Sequence, residues 1–168
     1  MTDRPRILVI DDDPLFRNLL VAMLRRDFEV SVATEGSEGY FKALENPPDA
    51  AVVDIHMPGW NGLKTIQSLR AHPTLAGLQV IVLTADTSKE TLEAALEAGA
   101  DDYLLKTRLA REDLLMKLER LLPGVTLSVG PARVIVDPGA AIPAPVLTGQ
   151  RLPASNQPAL QGILDSWE

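Results

Sequence analysis

Five short apolar runs, each followed within a few residues by a stretch of helical period, constrain this chain more than any other feature. The runs are RILVI (6–10), FEVSVA (28–33), DAAVVDI (49–55), LQVIVLTA (78–85) and DDYLLK (101–106). Their length and richness in Val and Ile predict buried strands. Between them lie helical patterns. Asp13 and Pro14 read as an N-cap and first helical residue, followed by Leu15, Leu19, Met23 and by Leu20, Leu24 at helical spacing. GSEGYFKALEN (36–46) is stopped by Pro47-Pro48, and NGLKTIQSLRA (61–71) ends before Pro73. SKETLEAALEAGA (88–100) and AREDLLMKLERLL (110–122) complete the set, the last closed by Pro123-Gly124. Strict alternation with short connections predicts an α/β fold, a doubly wound parallel sheet of five βα units with helices on both faces.

The alternation stops at Pro123. Residues 4–122 are expected to form the domain, and 123–168 a Pro/Gly-rich C-terminal extension. Within the extension, VTLSV and ARVIV (125–136) either pair as a small hairpin or run extended. Leu160, Ile163, Leu164 and Trp167 fall on one helical stripe, so a short amphipathic helix is expected over 157–167.

Composition excludes several kinds of function. The formal charge is −7, which disfavours nucleic-acid binding by this chain. Cysteine is absent and the histidines are only His56 and His72, so disulfides, thiolate chemistry and His-rich metal sites are ruled out. No apolar run approaches the roughly 20 residues that span a bilayer. MTDRPR leads into the first strand without a secretory core, so a cytoplasmic location is expected, with no membrane partner.

In doubly wound sheets, ligand sites lie beyond the carboxyl ends of the strands. The residues there are Asp11, Asp12 and Asp13 after the first run, Asp54 after the third, Thr84 at the end of the fourth and Lys106 after the fifth. Clustered carboxylates repel one another and suit a hard divalent cation; Mg²⁺ needs few protein oxygens because it keeps several waters. Such an ion offsets the repulsion and screens phosphate charge. One carboxylate is then able to act as a nucleophile on a phosphoryl group, giving an acyl phosphate. Lys106 would pair with a phosphoryl oxygen and the Thr84 hydroxyl would donate to another, so catalysis is chiefly positioning and charge neutralisation. Asp54 is the preferred nucleophile: it stands alone, before IHMPGWNG, whose Pro58, Gly59 and Gly62 specify a tight loop close to the site. Asp11 and Asp12 are read as metal holders and Asp13 as a helix cap turned away.

ILVIDDD, DIHMPGWNGL, VIVLTA and GADDYLLKT, in this order and spacing, resemble the receiver domain of two-component response regulators, over roughly residues 4–122. The resemblance implies a flavodoxin-like strand order 2-1-3-4-5, one of the orders for which that rule on ligand placement holds. It implies Asp54 as phosphoacceptor, with Asp11 and Asp12 as its acidic pocket. Mg²⁺ would be held by Asp12, Asp54 and the His56 backbone carbonyl. Thr84 and Lys106 would contact the phosphoryl group, and Tyr103 matches an aromatic switch position. The donor would be a phosphohistidine on a histidine kinase or phosphotransfer protein. The face formed by the fourth helix, fifth strand and fifth helix would carry the output to a protein partner, a homodimer among the options. His56 and Asp86 occupy positions that influence phosphoryl lifetime in the family.

Thr107 departs from the family, which usually has proline after the lysine, joined by a cis bond. A cis bond before a non-proline residue costs about 3–4 kcal/mol, so either that cost is borne or the Lys106 loop takes another path. Beside the site, Trp60 is a candidate partner contact, whereas Asp101 and Asp102 read as solvated acids at the far end of the fifth strand.

Two other readings compete with the self-phosphorylating, non-turnover switch. An aspartate-nucleophile phosphatase of the haloacid-dehalogenase type would use Asp11 and Asp13, but Leu15 stands where its threonine belongs and Asp54 would have no role. A non-phosphorylated scaffold of the same fold would leave the full acid, Thr and Lys set unexplained.

Overall fold

Val and Ile concentrate in the sheet because branched side chains pack well on a pleated surface covered on both sides. In the computed structural model, which describes residues 4–125 and 127, the strands are β1 (Arg6–Ile10), β2 (Glu29–Ala33), β3 (Ala50–Asp54), β4 (Gln79–Thr84) and β5 (Asp102–Leu105). The helices are α1 (Pro14–Leu24), α2 (Gly36–Glu45), α3 (Gly62–Ala71), α4 (Lys89–Ala98) and α5 (Arg111–Leu121), with a single 3₁₀ turn over Lys106–Arg108. The expected helix over 157–167 lies outside the described residues, as does the hairpin over 125–136 apart from Val125 and Leu127.

All four strand pairings are parallel, in the order β2-β1-β3-β4-β5. The expected five-βα architecture and strand order are therefore present. Every residue of β3 is buried, as a central strand requires, whereas β2 at the edge exposes alternate residues. Side chains alternate between two layers. Leu8, Ile10, Ala51, Val53, Val80 and Val82 pack with Ala43 of α2, Ile66 and Leu69 of α3 and Ala95 of α4. On α1, Leu20 and Leu24 are buried, and on α5 Leu114, Leu115 and Leu118. Arg111 ties these two helices, donating to the Met23 carbonyl at 3.0 Å and to Asp27 at 2.8 Å. Leu15 and Leu19 share the helical period of α1 yet face solvent at 68% and 39% exposure. Periodicity marks a stripe without saying that the whole stripe is covered.

Local chemistry sets the helix ends. Asp13, Asn61 and Ser88 cap α1, α3 and α4, each accepting from a backbone N–H two or three residues on. α4 closes on Gly99 in the left-handed region, φ 117°. Arg70 of α3 donates to the Gly99 carbonyl and pairs with Asp101 at 2.8 Å, pinning that end of α4.

Candidate functional site

Parallel pairing brings the strand ends into line: Ile10 lies beside Val53, Asp54 beside Leu83, and Thr84 beside Leu105. The residues next along the chain, or last in each strand, therefore meet above one edge of the sheet. β1 lies between β2 and β3, so chain direction across the sheet reverses here, which opens the crevice used by ligands in this fold class.

Asp11 is 1% exposed. Its Oδ1 accepts the Asp13 N–H at 2.9 Å, and its carbonyl accepts Arg17 Nη1 at 2.8 Å. Asp13 turns to cap α1, accepting the Leu15 N–H at 2.9 Å, as its place before Pro14 predicts. Asp12 is exposed. Asp54 is 5% exposed, and its Oδ1 faces the His56 N–H at 3.4 Å.

The loop after β3 depends on glycine. Gly59 has φ 76°, and the Gly62 N–H bonds the Ile55 carbonyl at 2.8 Å. A Cβ on Gly62 would lie 2.3 Å from the Asp54 carbonyl oxygen, so only glycine lets α3 start this close to the acid.

Lys106 stands between the acids. Its Nζ lies 2.8 Å from Asp11 Oδ2 and 3.3 Å from Asp54 Oδ2, with the side chain 9% exposed. The approach to Asp11 Oδ2 is a close, buried ion pair. Phe16 of α1 places its ring under the same ammonium, 4.4 Å from Nζ to the ring centroid. No cis peptide bond occurs among the described residues. The chain passes from β5 directly into the 3₁₀ turn, within which the Lys106–Thr107 link is trans, and Lys106 reaches both acids.

Thr84 is 2% exposed, and its Oγ1 accepts the Asp86 N–H at 3.0 Å. Asp86 then gathers the Ser88 N–H at 2.8 Å, the Thr91 hydroxyl at 2.7 Å and His56 Nε2 at 3.2 Å.

Burial is the main reason the Asp54 carboxyl is pushed up to about 6; the Asp11 charge adds to it, and Lys106 opposes both. Burial pulls the Lys106 ammonium down, but the paired carboxylates outweigh it and hold the group above its ordinary value. Tyr103 is raised by burial and then by the Asp102 charge.

A carboxylate oxygen from each of Asp11, Asp12 and Asp54 falls within 4.8 Å of the others. This all-oxygen set of three carboxylates fits a hard divalent cation.

The structure thus brings together Asp11, Asp12, Asp54, Thr84 and Lys106. Tyr103 lies one strand over, half-buried against the core. Trp60 is half-buried too, 5.8 Å from Tyr40 between ring centroids and with Lys64 Nζ 5.2 Å from its own.

One expectation is corrected. Asp102 is not a solvated acid: it is 2% exposed, paired with Lys117 at 2.9 Å and with Arg120, both on α5. Asp101 is also engaged, by Arg70 and by the Val80 N–H at 2.8 Å. The signal was the three-residue spacing of Lys117 and Arg120, which puts two cations on one helix face. Sequence reasoning also passed over Phe16, whose position in the α1 stripe suggests only core packing.

A five-stranded doubly wound sheet with an acid, hydroxyl and ammonium set at its carboxyl edge defines the class: a flavodoxin-like α/β protein with a charged, cation-compatible site at the switch point of the sheet. Residues 7–119 match the family model described as the response regulator receiver domain, and the chain belongs to that family of two-component signalling modules. It is 39% identical over 140 residues to the transcriptional regulatory protein PrrA of Mycobacterium tuberculosis, covering 77% of this chain and 59% of that protein. It is 35% identical over 141 residues to the DNA-binding response regulator MtrA of Mycolicibacterium smegmatis, covering 80% and 60%. The chain spans about three-fifths of the length of these relatives. Among solved structures, the chemotaxis protein CheY4 of Vibrio cholerae aligns with a TM-score of 0.67 at 28% identity, over 71% of this chain and 99% of that one. A response regulator from Chloroflexus aurantiacus aligns with a TM-score of 0.68 at 31% identity, over 71% and 98%.

Proposed function

We propose that this chain is a phosphorylation-controlled switch whose acceptor is Asp54, charged by a phosphohistidine on a histidine kinase or phosphotransfer protein. The single observation that carries the reading is the Lys106 ammonium seated between Asp11 and Asp54, at 2.8 and 3.3 Å.

An Asp54 carboxylate oxygen forms the new bond to phosphorus. The bond from phosphorus to the donor imidazole nitrogen breaks, and its electron pair leaves with the imidazole. Lys106 pairs with an oxygen of the transferred group. Thr84 accepts from the Asp86 N–H, which leaves its own proton to be donated to a second phosphoryl oxygen. Asp11, Asp12, Asp54 and the His56 carbonyl are the groups that would hold Mg²⁺, which when bound supplies charge neutralisation for the phosphoryl oxygens. Hydrolysis of the acyl phosphate resets the chain, with no turnover of outside substrates.

Movement of Thr84 toward the phosphoryl group biases Tyr103 inward and repacks the face of α4, β5 and α5. That face then binds or releases a protein partner, a second copy of the chain included. An acidic chain of charge −7 supports output through protein contacts. No helix among the described residues is long and apolar enough to cross a membrane, and we place the switch in the cytoplasm. The receiver unit is assigned to residues 4–122 and the extension to 123–168.

The test is transfer of radiolabel from a phosphorylated kinase domain. Label is expected on the wild type and none on Asp54→Ala. Label retained on Asp54→Ala would overturn the assignment. Steady phosphatase turnover lost in Asp11→Asn but kept in Asp54→Asn would favour the hydrolase instead.

A further inference from the structure

Asp11 and Asp54 flank the Lys106 ammonium, but ion pairing at its tip does not fix the path of its stem. The long, flexible lysine stem needs something else to hold its tip in one place. Lys106 opens the 3₁₀ turn, and the other two residues of that turn, Thr107 and Arg108, are exposed. The face of Phe16, centred 4.4 Å from Nζ, confines the ammonium.

Phe16 sits in the first turns of α1, whose start is fixed by the Asp13 cap and Pro14. Arg17, its neighbour, bonds the Asp11 carbonyl at 2.8 Å. The ring is therefore carried on a rigid element tied to the acid pocket itself. An aromatic face carries negative potential, so it attracts the ammonium without offering a lone pair that would compete for its protons. With the Lys106 side chain 9% exposed, little water screens the attraction. A leucine in the same place would supply bulk but no such field.

We propose that Phe16 is a positioning residue for Lys106, holding the ammonium against Asp11 and Asp54 by a cation–π contact. The proposal rests on the reading of Lys106 as the phosphoryl partner. Phe16 carries no polar or titratable atom, so its part is to act through the lysine.

The test uses the full chain and two readouts. Phenylalanine at position 16 is replaced site-specifically by its mono-, di- and trifluorinated analogues, which keep the ring shape while draining the negative face. Phe16→Leu and Phe16→Trp complete the series. The first readout is the initial rate of Asp54 labelling by acetyl phosphate with Mg²⁺. The rate is expected to fall stepwise with each fluorine, to drop roughly 2- to 30-fold in Phe16→Leu, the span of cation–π strengths, and to be restored by Phe16→Trp. The second readout is the NMR shift of the Lys106 ε-methylene protons, moved upfield by the ring and expected to return to the ordinary lysine position in Phe16→Leu. A rate that stays flat across the fluorinated series, or an ε-methylene signal unmoved by Phe16→Leu, overturns the proposal. If Phe16→Leu does not fold, the near-isosteric fluorinated chains decide. A wild-type chain that takes no label at Asp54 overturns the switch reading, and the NMR comparison then decides the Phe16 contact alone.

Discussion

His56 Nε2 lies 3.2 Å from Asp86 Oδ2, so the loop after β3 is tied to the loop after β4 directly beside Asp54 and Thr84. The same carboxylate holds the first turn of α4 through Ser88 and Thr91.

Asp86→Ala should loosen the start of α4. The Thr91 hydroxyl first, and then the Ser88 N–H, hold the Asp86 carboxyl well below the usual carboxylate range. A depressed folded value means that the contribution to stability is present above the unfolded value of about 3.9 and is lost as pH falls below it. Amide hydrogen exchange at Thr91–Ala95 is expected to quicken severalfold in the variant near neutral pH, with little change in α1. Equal protection in both proteins would show that Asp86 does not restrain the helix.

Proton and cation should compete for Asp54. Burial, with help from Asp11, lifts this carboxyl from 3.8 to about 6, roughly 3 kcal/mol against its charged form. Because the folded value is raised, the ion-free protein loses stability as pH rises from about 4 to about 6, and it gains Mg²⁺ affinity over the upper part of that window. Titration followed by Trp60 fluorescence should show affinity falling about tenfold per pH unit below 6 and levelling above 7. Lys106→Gln removes the group that opposes the rise, so the break should move to higher pH.

Asp102→Ala should destabilise the fold even though the residue lies far from Asp54. It strips Lys117 and Arg120 of their shared partner and removes the acceptor of the Tyr103 N–H. Both cations are partly exposed, so water recovers some of the loss, and about 2–3 kcal/mol is expected in urea unfolding. Lys117→Ala should cost less, since Arg120 still neutralises the acid.

Gly62→Ala should damage the site through the backbone. The added methyl would sit 2.3 Å from the Asp54 carbonyl oxygen and 2.7 Å from Ile55 Cα. Overpacking of this kind costs about 1–3 kcal/mol. Phosphorylation of Asp54 should slow beyond what the lowered melting temperature explains, because α3 and the acid are forced apart. A variant that melts early but labels at the wild-type rate would count against that coupling.

The strands were legible because short runs rich in β-branched residues recur between helical patterns; their order followed only from the resemblance to receiver domains. The site was legible because Asp11, Asp54, Thr84 and Lys106 each stand at the end of such a run. The burial of Asp102 was not, because an acid beside a turn resembles any solvated acid until α5 folds back with Lys117 and Arg120. Phe16 was obscured in a different way. Its spacing fits a helix stripe, and only the tertiary fold places a lysine ninety residues later over its ring. Leu15 and Leu19 keep the helical spacing read for α1, yet that spacing does not say they are covered, and both are open to solvent. Period reports local geometry; what covers a face is decided by elements far along the chain.

The four groups at the sheet's edge belong to residues 11, 54, 84 and 106, each on a different strand end. No fragment that stops short of β5 can assemble them, and slippage of one strand by one residue would turn its contribution to the opposite layer. Chemical competence here is therefore a readout of complete topology: a nascent or partly unravelled chain is silent by construction and cannot be switched on early.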